Sequence, residues 1–338
     1  MLMIGVAALE LAEREKRWLI APGVAGVLLF ARNYQSREQL IALCDSIRDV
    51  GGDELLIAVD QEGGPVQRFR DGFTRLPPLA AIGAMYERDP VEAVRLAEEH
   101  AWVMASELRA SGVDFSFAPV VDLARGNAAI GLRAFHADPA VTAELAQAYV
   151  RGMHLGGMAA VLKHFPGHGS VATDTHKAQA IDPRSLDQIC RDDLLPFAEC
   201  IEARVEAVMM AHVIYPAVDA QPAGYSKVWI EQILRGEFDF TGAVISDDIS
   251  MAAAGAAGSV GERVQAHLDA GCDLVLACFP EVVDEAIAAM PEQQSPMPPQ
   301  LAALRGALGA SWDSLTNNPQ RDRFVARIMA LHTGQGTA

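Results

Sequence analysis

The sequence predicts an α/β fold, a single TIM-like (β/α)8 barrel with C-terminal helices packed on its outside. Three observations predict it: eight short apolar segments alternate with helical stretches, these segments are apolar along nearly their whole length, and no linker-like segment divides the 338 residues. Strands that are covered on both faces have such continuous apolar runs, and regular alternation with helices is typical of parallel sheets. We expect one domain over residues 1–338, with the barrel at about 1–290 and the helical extension at about 300–335.

The predicted elements follow each other in a regular order. Strands are expected at residues 2–6, 24–30, 55–60, 113–118, 158–162, 206–211, 242–246 and 273–277. The helices between them have start signals, either a serine with glutamine three residues later or an aspartate before a first-turn proline. These signals are at Ser36, Asp89, Asp138 and Ser185. Pro196 is expected to kink the helix that begins at Ser185. Left-handed helix caps are expected at Gly156, Gly236 and Gly271.

The composition argues against several classes of protein. The 27 basic and 44 acidic residues give a formal charge of −17, which disfavours nucleic acid or an anionic membrane as a partner. No segment approaches the roughly 20 apolar residues of a membrane span. The apolar start at 1–9 runs straight into Glu10, which predicts a strand and not a signal peptide. Five cysteines without CxxC spacing indicate reduced thiols in a cytoplasmic protein, and we expect a monomer.

Polar residues follow the predicted strands at the places where each strand ends. They are Asp60 with Arg68, Asp122 with Arg133, the pair Lys163-His164, His212, and Ser246-Asp247-Asp248. Each residue alone has a structural explanation as a helix cap, a core histidine or a surface ion pair. In a barrel, however, the carboxyl ends of the strands meet at one face, where catalytic groups are found. The convergence of these residues predicts an active site at that face.

The segment Lys163–Gly169, followed by Asp174-Thr175-His176, brings one lysine, three histidines and one aspartate together around a Pro-Gly turn. Its glycines could hold a phosphate, although the spacing matches neither a P-loop nor a dinucleotide fingerprint. Metal binding by His164, His168, His176 and Asp247 is a second possibility, but HxH and HExxH spacings are absent and Lys163 would repel a dication. Lys163 could also form a Schiff base, as lysines at strand ends do in aldolase-like barrels.

Four motifs, taken together and in this order, resemble the bacterial cytoplasmic β-N-acetylglucosaminidases of glycoside hydrolase family 3, which act in peptidoglycan recycling. They are Asp60-Gln61-Glu62-Gly63-Gly64, Lys163–Gly169, Ala211-His212-Val213-Ile214-Tyr215 and Ser246-Asp247-Asp248, and the resemblance covers roughly residues 1–280. It implies a retaining exo-hydrolase that releases terminal β-linked N-acetylglucosamine from 1,6-anhydro-N-acetylmuramyl peptides, without metal or cofactor. The broader β-glucosidases of the family are the alternative, but their acid/base comes from a second domain that this chain is too short to hold.

The resemblance also implies roles for individual residues. Asp247 matches the nucleophile, His176 the acid/base and Asp174 its partner, whereas the sugar-binding positions are matched by Asp60, Arg68, Arg133, Lys163 and His164. Three positions depart from the family pattern: Pro65 replaces a common Arg, Leu132 a polar residue and Met210 a common Pro. We expect these departures to affect the rim of the site, and hence the choice of leaving group, more than the chemistry.

The proposed acid/base pair suits its chemistry if Asp174-Thr175-His176 is extended, because residues i and i+2 then point to the same side. The carboxylate would fix the tautomer of the imidazole and raise its basicity, so that a histidine near neutral pKa could protonate the leaving oxygen and then deprotonate water. The alternative is that this tripeptide is only a surface turn.

Overall fold

The computed structural model describes residues 1–171, 179–293, 296–307 and 309–333. Within these ranges eight parallel strands form one sheet, which confirms the predicted (β/α)8 barrel. The strands are β1 Leu2–Gly5, β2 Val24–Leu29, β3 Leu56–Val59, β4 Phe115–Ser116, β5 Val161–Phe165, β6 Ala207–Met210, β7 Ala243–Asp248 and β8 Leu274–Ala277.

The sheet curls round so that its first and last strands in the chain are neighbours. Its order is β4-β3-β2-β1-β8-β7-β6-β5, and Leu2 of β1 lies opposite Val275 of β8. The two remaining edges meet just after β4, where Val161 N–H donates to the Ala118 carbonyl (2.8 Å) and Val121 N–H to the Lys163 carbonyl (2.9 Å). Backbone groups are therefore paired around the whole barrel, which removes the exposed sheet edge.

Helices surround the barrel. Their bounds are α1 Glu13–Leu19, α2 Arg37–Gly51, α3 Leu79–Tyr86, α4 Pro90–Arg109, α5 Pro139–Leu155, α6 Leu186–Arg191, α7 Leu195–Glu202, the π-helix α8 Val228–Glu237, α9 Val260–Ala270, α10 Pro280–Ala288, α11 Pro299–Ala302, α12 Trp312–Thr316 and α13 Pro319–Thr333. Short 3-10 turns occur at Ala31–Asn33, Gly131–Arg133, Ala223–Tyr225, Ala252–Ala257 and Ala303–Arg305. No helix of the described ranges is long and apolar enough to cross a membrane.

Most local predictions are confirmed, but the kink at Pro196 and two of the glycine caps are wrong. The four start signals cap their helices; Ser36 Oγ, for example, accepts a hydrogen bond from the Gln39 N–H (3.2 Å). The proline at position 196 does not kink a helix: α6 ends at Arg191 and α7 places Pro196 in its first turn, where the missing N–H costs no hydrogen bond. Gly271 is left-handed as predicted, with φ 109°, but Gly156 is not and Gly236 lies inside α8.

The C-terminal helices pack on the outside of the barrel, as predicted. The ring of Phe324 in α13 meets the Trp102 ring of α4 edge to face at 5.3 Å. Arg321 donates to Glu107 of the same helix α4 (2.7 Å), so both apolar and charged contacts hold α13 in place. Two small sheets are separate from the barrel sheet: a hairpin of Gln61–Gly63 with Val66–Gln67, and a three-stranded sheet of Ala180–Ile181, Val213–Tyr215 and Asp219–Pro222.

Candidate active site

A cavity of about 730 Å³ opens at the carboxyl ends of the barrel strands. Six of the eight residues predicted for the site line it: Asp60, Arg68, Arg133, Lys163, His164 and Asp247. They come from segments up to 187 residues apart and meet only because parallel strands end at one face of a barrel. The other two, Asp174 and His176, lie outside the described residues.

Lys163 sits at the centre of an ion-pair network in the cavity. The sequence predicted that Lys163 follows a strand. In the structure it lies within β5, because backbone pairing continues to Phe165. Its Nζ is 2.9 Å from Oδ1 of Asp60 and 2.6 Å from Oε1 of Glu62. Arg68 reaches the second oxygen of Asp60 at 3.2 Å. The buried Nζ of Lys163 is therefore paired with two carboxylates, so that both ends of each ion pair are satisfied within the cavity.

Glu62 belongs to the site, although its sequence motif did not assign it a role there. Both its oxygens accept from Arg133, from Nε at 2.8 Å and from a terminal nitrogen at 2.8 Å, in a bidentate pair. The hairpin that carries it turns through Gly63 and Gly64, whose positive φ angles of 98° and 54° favour glycine. The signal that could have found Glu62 is its alternation with Asp60, since residues two apart on an extended segment share a face.

The charges of this network set the protonation of its acids. Burial alone would raise the pKa of Asp60 and Glu62, because it disfavours the ionised form. The nearby cations outweigh burial and lower both pKa values, Lys163 and Arg68 acting on Asp60, Arg133 and Lys163 on Glu62. Both acids are therefore ionised at neutral pH. The result is a rigid, charged wall whose groups are already oriented before any ligand binds.

His164 is held by a further carboxylate, that of Asp122, one of the strand-end residues expected at the active-site face. Nδ1 of His164 donates to Oδ2 of Asp122 (2.6 Å), and the backbone N–H groups of His164 and His168 donate to Oδ1 (3.2 and 2.6 Å). Burial would raise the pKa of Asp122, but the interactions with His164 and His168 together outweigh burial and lower it. An ionised carboxylate at Nδ1 fixes the tautomer and orientation of the ring.

The two aspartates that end β7 differ in their surroundings, although both line the cavity. Asp248 uses both oxygens within the protein: Oδ1 accepts from the Ser250 N–H (3.1 Å) and the Cys278 N–H (3.3 Å), and Oδ2 accepts from the Ser250 hydroxyl. Burial raises its pKa. Oδ1 of Asp247 accepts from the Asp248 N–H at 2.8 Å. The hydrogen bonds of Asp248 therefore stabilise the turn that follows Asp247.

His212 lies beneath this turn and does not line the cavity. The buried ring directs Nε2 at the backbone carbonyl of Asp248 (3.1 Å), and burial lowers its pKa, so the ring is neutral and Nε2 carries the proton. Its other side packs against the rings of His267 (5.5 Å) and Tyr225 (6.1 Å). His212 therefore supports the backbone at the end of β7.

Gly169, in the glycine-rich segment, has a packing role. A Cβ on Gly169 would lie 1.9 Å from the Leu123 carbonyl oxygen, so this glycine allows two backbones to pack closely. Among the described residues, no group of three or more histidines, cysteines or acids could hold a metal ion. The metal hypothesis included His176, which lies outside them.

The three departures from the family pattern have different positions. Pro65 and Leu132 line the cavity, and Leu132 is 58% exposed. Met210 is the buried last residue of β6, and its neighbour Met209 reaches the cavity instead. Two of the three departures therefore change the surface that a ligand meets.

A parallel barrel with carboxylates and cations in a cavity at the carboxyl ends of its strands is typical of barrel enzymes. The chain belongs to glycosyl hydrolase family 3: residues 1–298 match the model of the Glycosyl hydrolase family 3 N terminal domain. It is 59% identical over 316 residues to a protein named Beta-hexosaminidase from Stenotrophomonas maltophilia (strain R551-3), covering 93% of this chain and 94% of the relative. A Beta-hexosaminidase from Xylella fastidiosa (strain 9a5c) is 54% identical over 97% of this chain and 98% of the relative.

A solved structure shares the fold at similar length. It is that of NagZ from Neisseria gonorrhoeae in complex with N-trifluoroacetyl-D-glucosamine. It is 40% identical, has a TM-score of 0.90, and covers 98% of this chain and 97% of that chain.

Proposed function

We propose that this protein is a retaining exo-β-N-acetylhexosaminidase that releases terminal β-linked N-acetylglucosamine from a sugar chain. The observation that carries the proposal is the cavity that Asp247 lines together with the network of Asp60, Glu62, Arg68, Arg133 and Lys163. Such a site offers several donors and acceptors for sugar hydroxyls, with the carboxylate of Asp247 at the end of β7. The relatives named Beta-hexosaminidase, and the N-trifluoroacetyl-D-glucosamine complex of the Neisseria protein, support an N-acetylated sugar as the ligand.

In the proposed mechanism Asp247 attacks the anomeric carbon, and the bond from that carbon to the leaving oxygen breaks. His176 donates a proton to the leaving oxygen, which departs as an alcohol and leaves a glycosyl ester on Asp247. Water then attacks the same carbon, gives a proton to His176 and frees the Asp247 carboxylate, so that two inversions produce net retention. Asp174 would orient His176 and favour its protonated form. Asp247 is preferred to Asp248 because it directly follows Ser246, at the position that matches the nucleophile in the family resemblance; the oxygens of Asp248 accept hydrogen bonds from Ser250 and Cys278.

The particular substrate is proposed from the resemblance of the four motifs to the family 3 β-N-acetylglucosaminidases. We propose a cytoplasmic monomer that acts on N-acetylglucosamine linked to 1,6-anhydro-N-acetylmuramyl peptides, with a role in peptidoglycan recycling and thereby in cell wall biogenesis, cell shape, cell division and the cell cycle. No metal or cofactor takes part in the proposed reaction. A family 3 β-glucosidase of broader specificity is the second candidate, and a metal-dependent barrel hydrolase is a third.

One set of assays separates these candidates. Release of 4-nitrophenol from the N-acetyl-β-glucosaminide should exceed release from the β-glucoside in kcat/KM and should not change when a chelator is added. Comparable kcat/KM on the glucoside would support the β-glucosidase, whereas loss of activity with chelator would support the metal enzyme. Proton NMR during turnover should show the β-anomer of the free sugar first, and initial α-anomer would contradict retention.

The catalytic residues are tested separately. Asp247→Asn should abolish turnover in a folded protein, and a 2-deoxy-2-fluoro or 5-fluoro glycoside should label Asp247; a label on Asp248 would overturn the assignment. His176→Ala should slow hydrolysis most on substrates with poor leaving groups, by on the order of a hundredfold or about 3 kcal/mol. Asp174→Asn should move the basic limb of kcat/KM to lower pH. Near wild-type rates of His176→Ala on a natural disaccharide would contradict the pair.

A further inference from the structure

Two phenylalanine rings form an aromatic surface in the cavity, beside the ion-pair network, whose Arg68 lies 5.7 Å from the ring centre of Phe30. Phe30 follows β2 and Phe279 follows β8, the two strands that flank β1 in the barrel. Their rings stack with centroids 6.5 Å apart and planes 28° apart, and both line the cavity. Phe279 is 48% exposed, so much of its ring faces solvent. Paired rings at a cavity are the kind of exposed apolar surface that marks a binding site.

Arg32 holds this aromatic pair in place. Its guanidinium lies 4.3 Å from the ring centre of Phe30 and 5.6 Å from that of Phe279. Nε donates to the Val6 carbonyl (2.8 Å) and a terminal nitrogen to the Cys278 carbonyl (2.7 Å), which ties the arginine to the ends of β1 and β8. The cation therefore fixes both rings before a ligand arrives, and a fixed ring loses little entropy on binding.

The position of the pair around the barrel indicates which part of a substrate it meets. The charged residues Asp60 and Glu62 follow β3 and Lys163 lies in β5, whereas Asp247 lies at the end of β7, the neighbour of the β8 strand that leads to Phe279. Hydroxyl groups of the terminal sugar have their partners on the charged side. A phenyl ring makes no hydrogen bond to hydroxyls, but it packs well against the C–H face of a pyranose. Because Phe279 is solvent-exposed, its ligand lies at the outer part of the cavity.

We propose that Phe30 and Phe279 form the leaving-group subsite, in which the pyranose linked to the terminal sugar lies with its C–H face against the Phe279 ring. The proposal rests on the proposed glycosidase function and names the part of the substrate that this surface selects. Leu132, also exposed and lining the cavity, adds apolar surface to the same opening. The subsite favours a sugar as leaving group over a small alcohol, because only a ring covers the phenyl face.

The test compares two substrates of N-acetylglucosamine, one with a pyranose leaving group (the β-1,4-linked disaccharide) and one with methanol (the methyl β-glycoside). The measured quantity is the ratio of the two kcat/KM values, because any effect of a substitution that is equal for both substrates cancels in this ratio. Phe279→Ala should lower this ratio about tenfold, equivalent to about 1.4 kcal/mol, whereas Phe279→Tyr should keep it because the ring remains. Leu155→Ala is the control, since Leu155 is 66% exposed and lies at the end of α5, outside the cavity lining.

The outcomes distinguish the subsite from the function on which it rests. An unchanged ratio in Phe279→Ala would overturn the subsite. So would an equal loss of affinity for free N-acetylglucosamine, measured by inhibition, because the ring would then contact the terminal sugar. If the wild type releases glucose and not N-acetylglucosamine, the proposed function fails, and the same ratio measured on cellobiose and methyl β-glucoside still tests the subsite.

Discussion

Replacing Glu62 by glutamine removes one charge from the buried network without changing the shape of the side chain. In the wild type two carboxylates, Asp60 and Glu62, face three cations, Arg68, Arg133 and Lys163. The substitution leaves one carboxylate for the three cations. Removing one partner of a buried pair costs about 3–5 kcal/mol, and since glutamine retains one acceptor oxygen we expect about 3 kcal/mol. With an unfolding entropy of about 2.1 cal/mol/K per residue, this lowers Tm by about 4 °C.

The unfolding free energy that Glu62→Gln loses depends on pH. Burial would raise the pKa of Glu62, but Arg133 and Lys163 outweigh it, and the folded pKa is lowered. A carboxyl with a depressed folded pKa stabilises the fold above its unfolded pKa, about 4.3, and the contribution is lost as pH falls through the folded value. Because glutamine has no such contribution, the difference in unfolding free energy between wild type and Glu62→Gln should be largest near neutral pH and shrink below about pH 4.

Urea unfolding at several pH values measures this difference, and kcat/KM should fall about tenfold or more because Arg133 and Lys163 lose their common anchor. The matched control is Glu54→Gln. Glu54 is exposed and lies just before the first residue of β3, whereas Glu62 lies after its last residue. We expect the control to stay within about 0.5 kcal/mol of wild type. If Glu62→Gln behaved like the control in both stability and activity, the role of Glu62 as the anchor of the cations would be refuted.

Three further substitutions test other contacts of the site. Asp122→Asn should lower kcat/KM about tenfold or more, because His164 loses the charged acceptor that orients its ring. Unchanged kinetics would contradict this role of Asp122. His212→Gln should keep more activity than His212→Leu, since only glutamine can still donate to the Asp248 carbonyl; the reverse order in a kinetic assay would contradict a role for that hydrogen bond. Gly169→Ala should destabilise by about 1–3 kcal/mol in urea unfolding, whereas Gly261→Ala, with its nearest neighbour at 3.6 Å, should not.

The sequence by itself determined the strands and the order of the motifs. Runs such as 24–30 and 273–277 are apolar along nearly their whole length, and a segment of that kind is stable only when both its faces are covered, so its burial follows from local composition. Helix starts such as Ser36 are equally local, because the cap is a hydrogen bond over three residues. The positions of Asp60 and Asp247 near strand ends follow from the same local patterns, whereas Lys163 lies within β5.

Only the tertiary structure decided which of these side chains are partners. Glu62 and Arg133 are 71 residues apart, and their bidentate pair depends on how the hairpin after β3 meets the turn at Gly131–Arg133. The same holds for Asp122 and His164, which are joined because β4 and β5 close the barrel. Local spacing fixes which face of a strand a residue occupies, but the distance between two strands depends on the packing of the whole barrel. For that reason the residue types were predictable, whereas the ion pairs that set their charge were not.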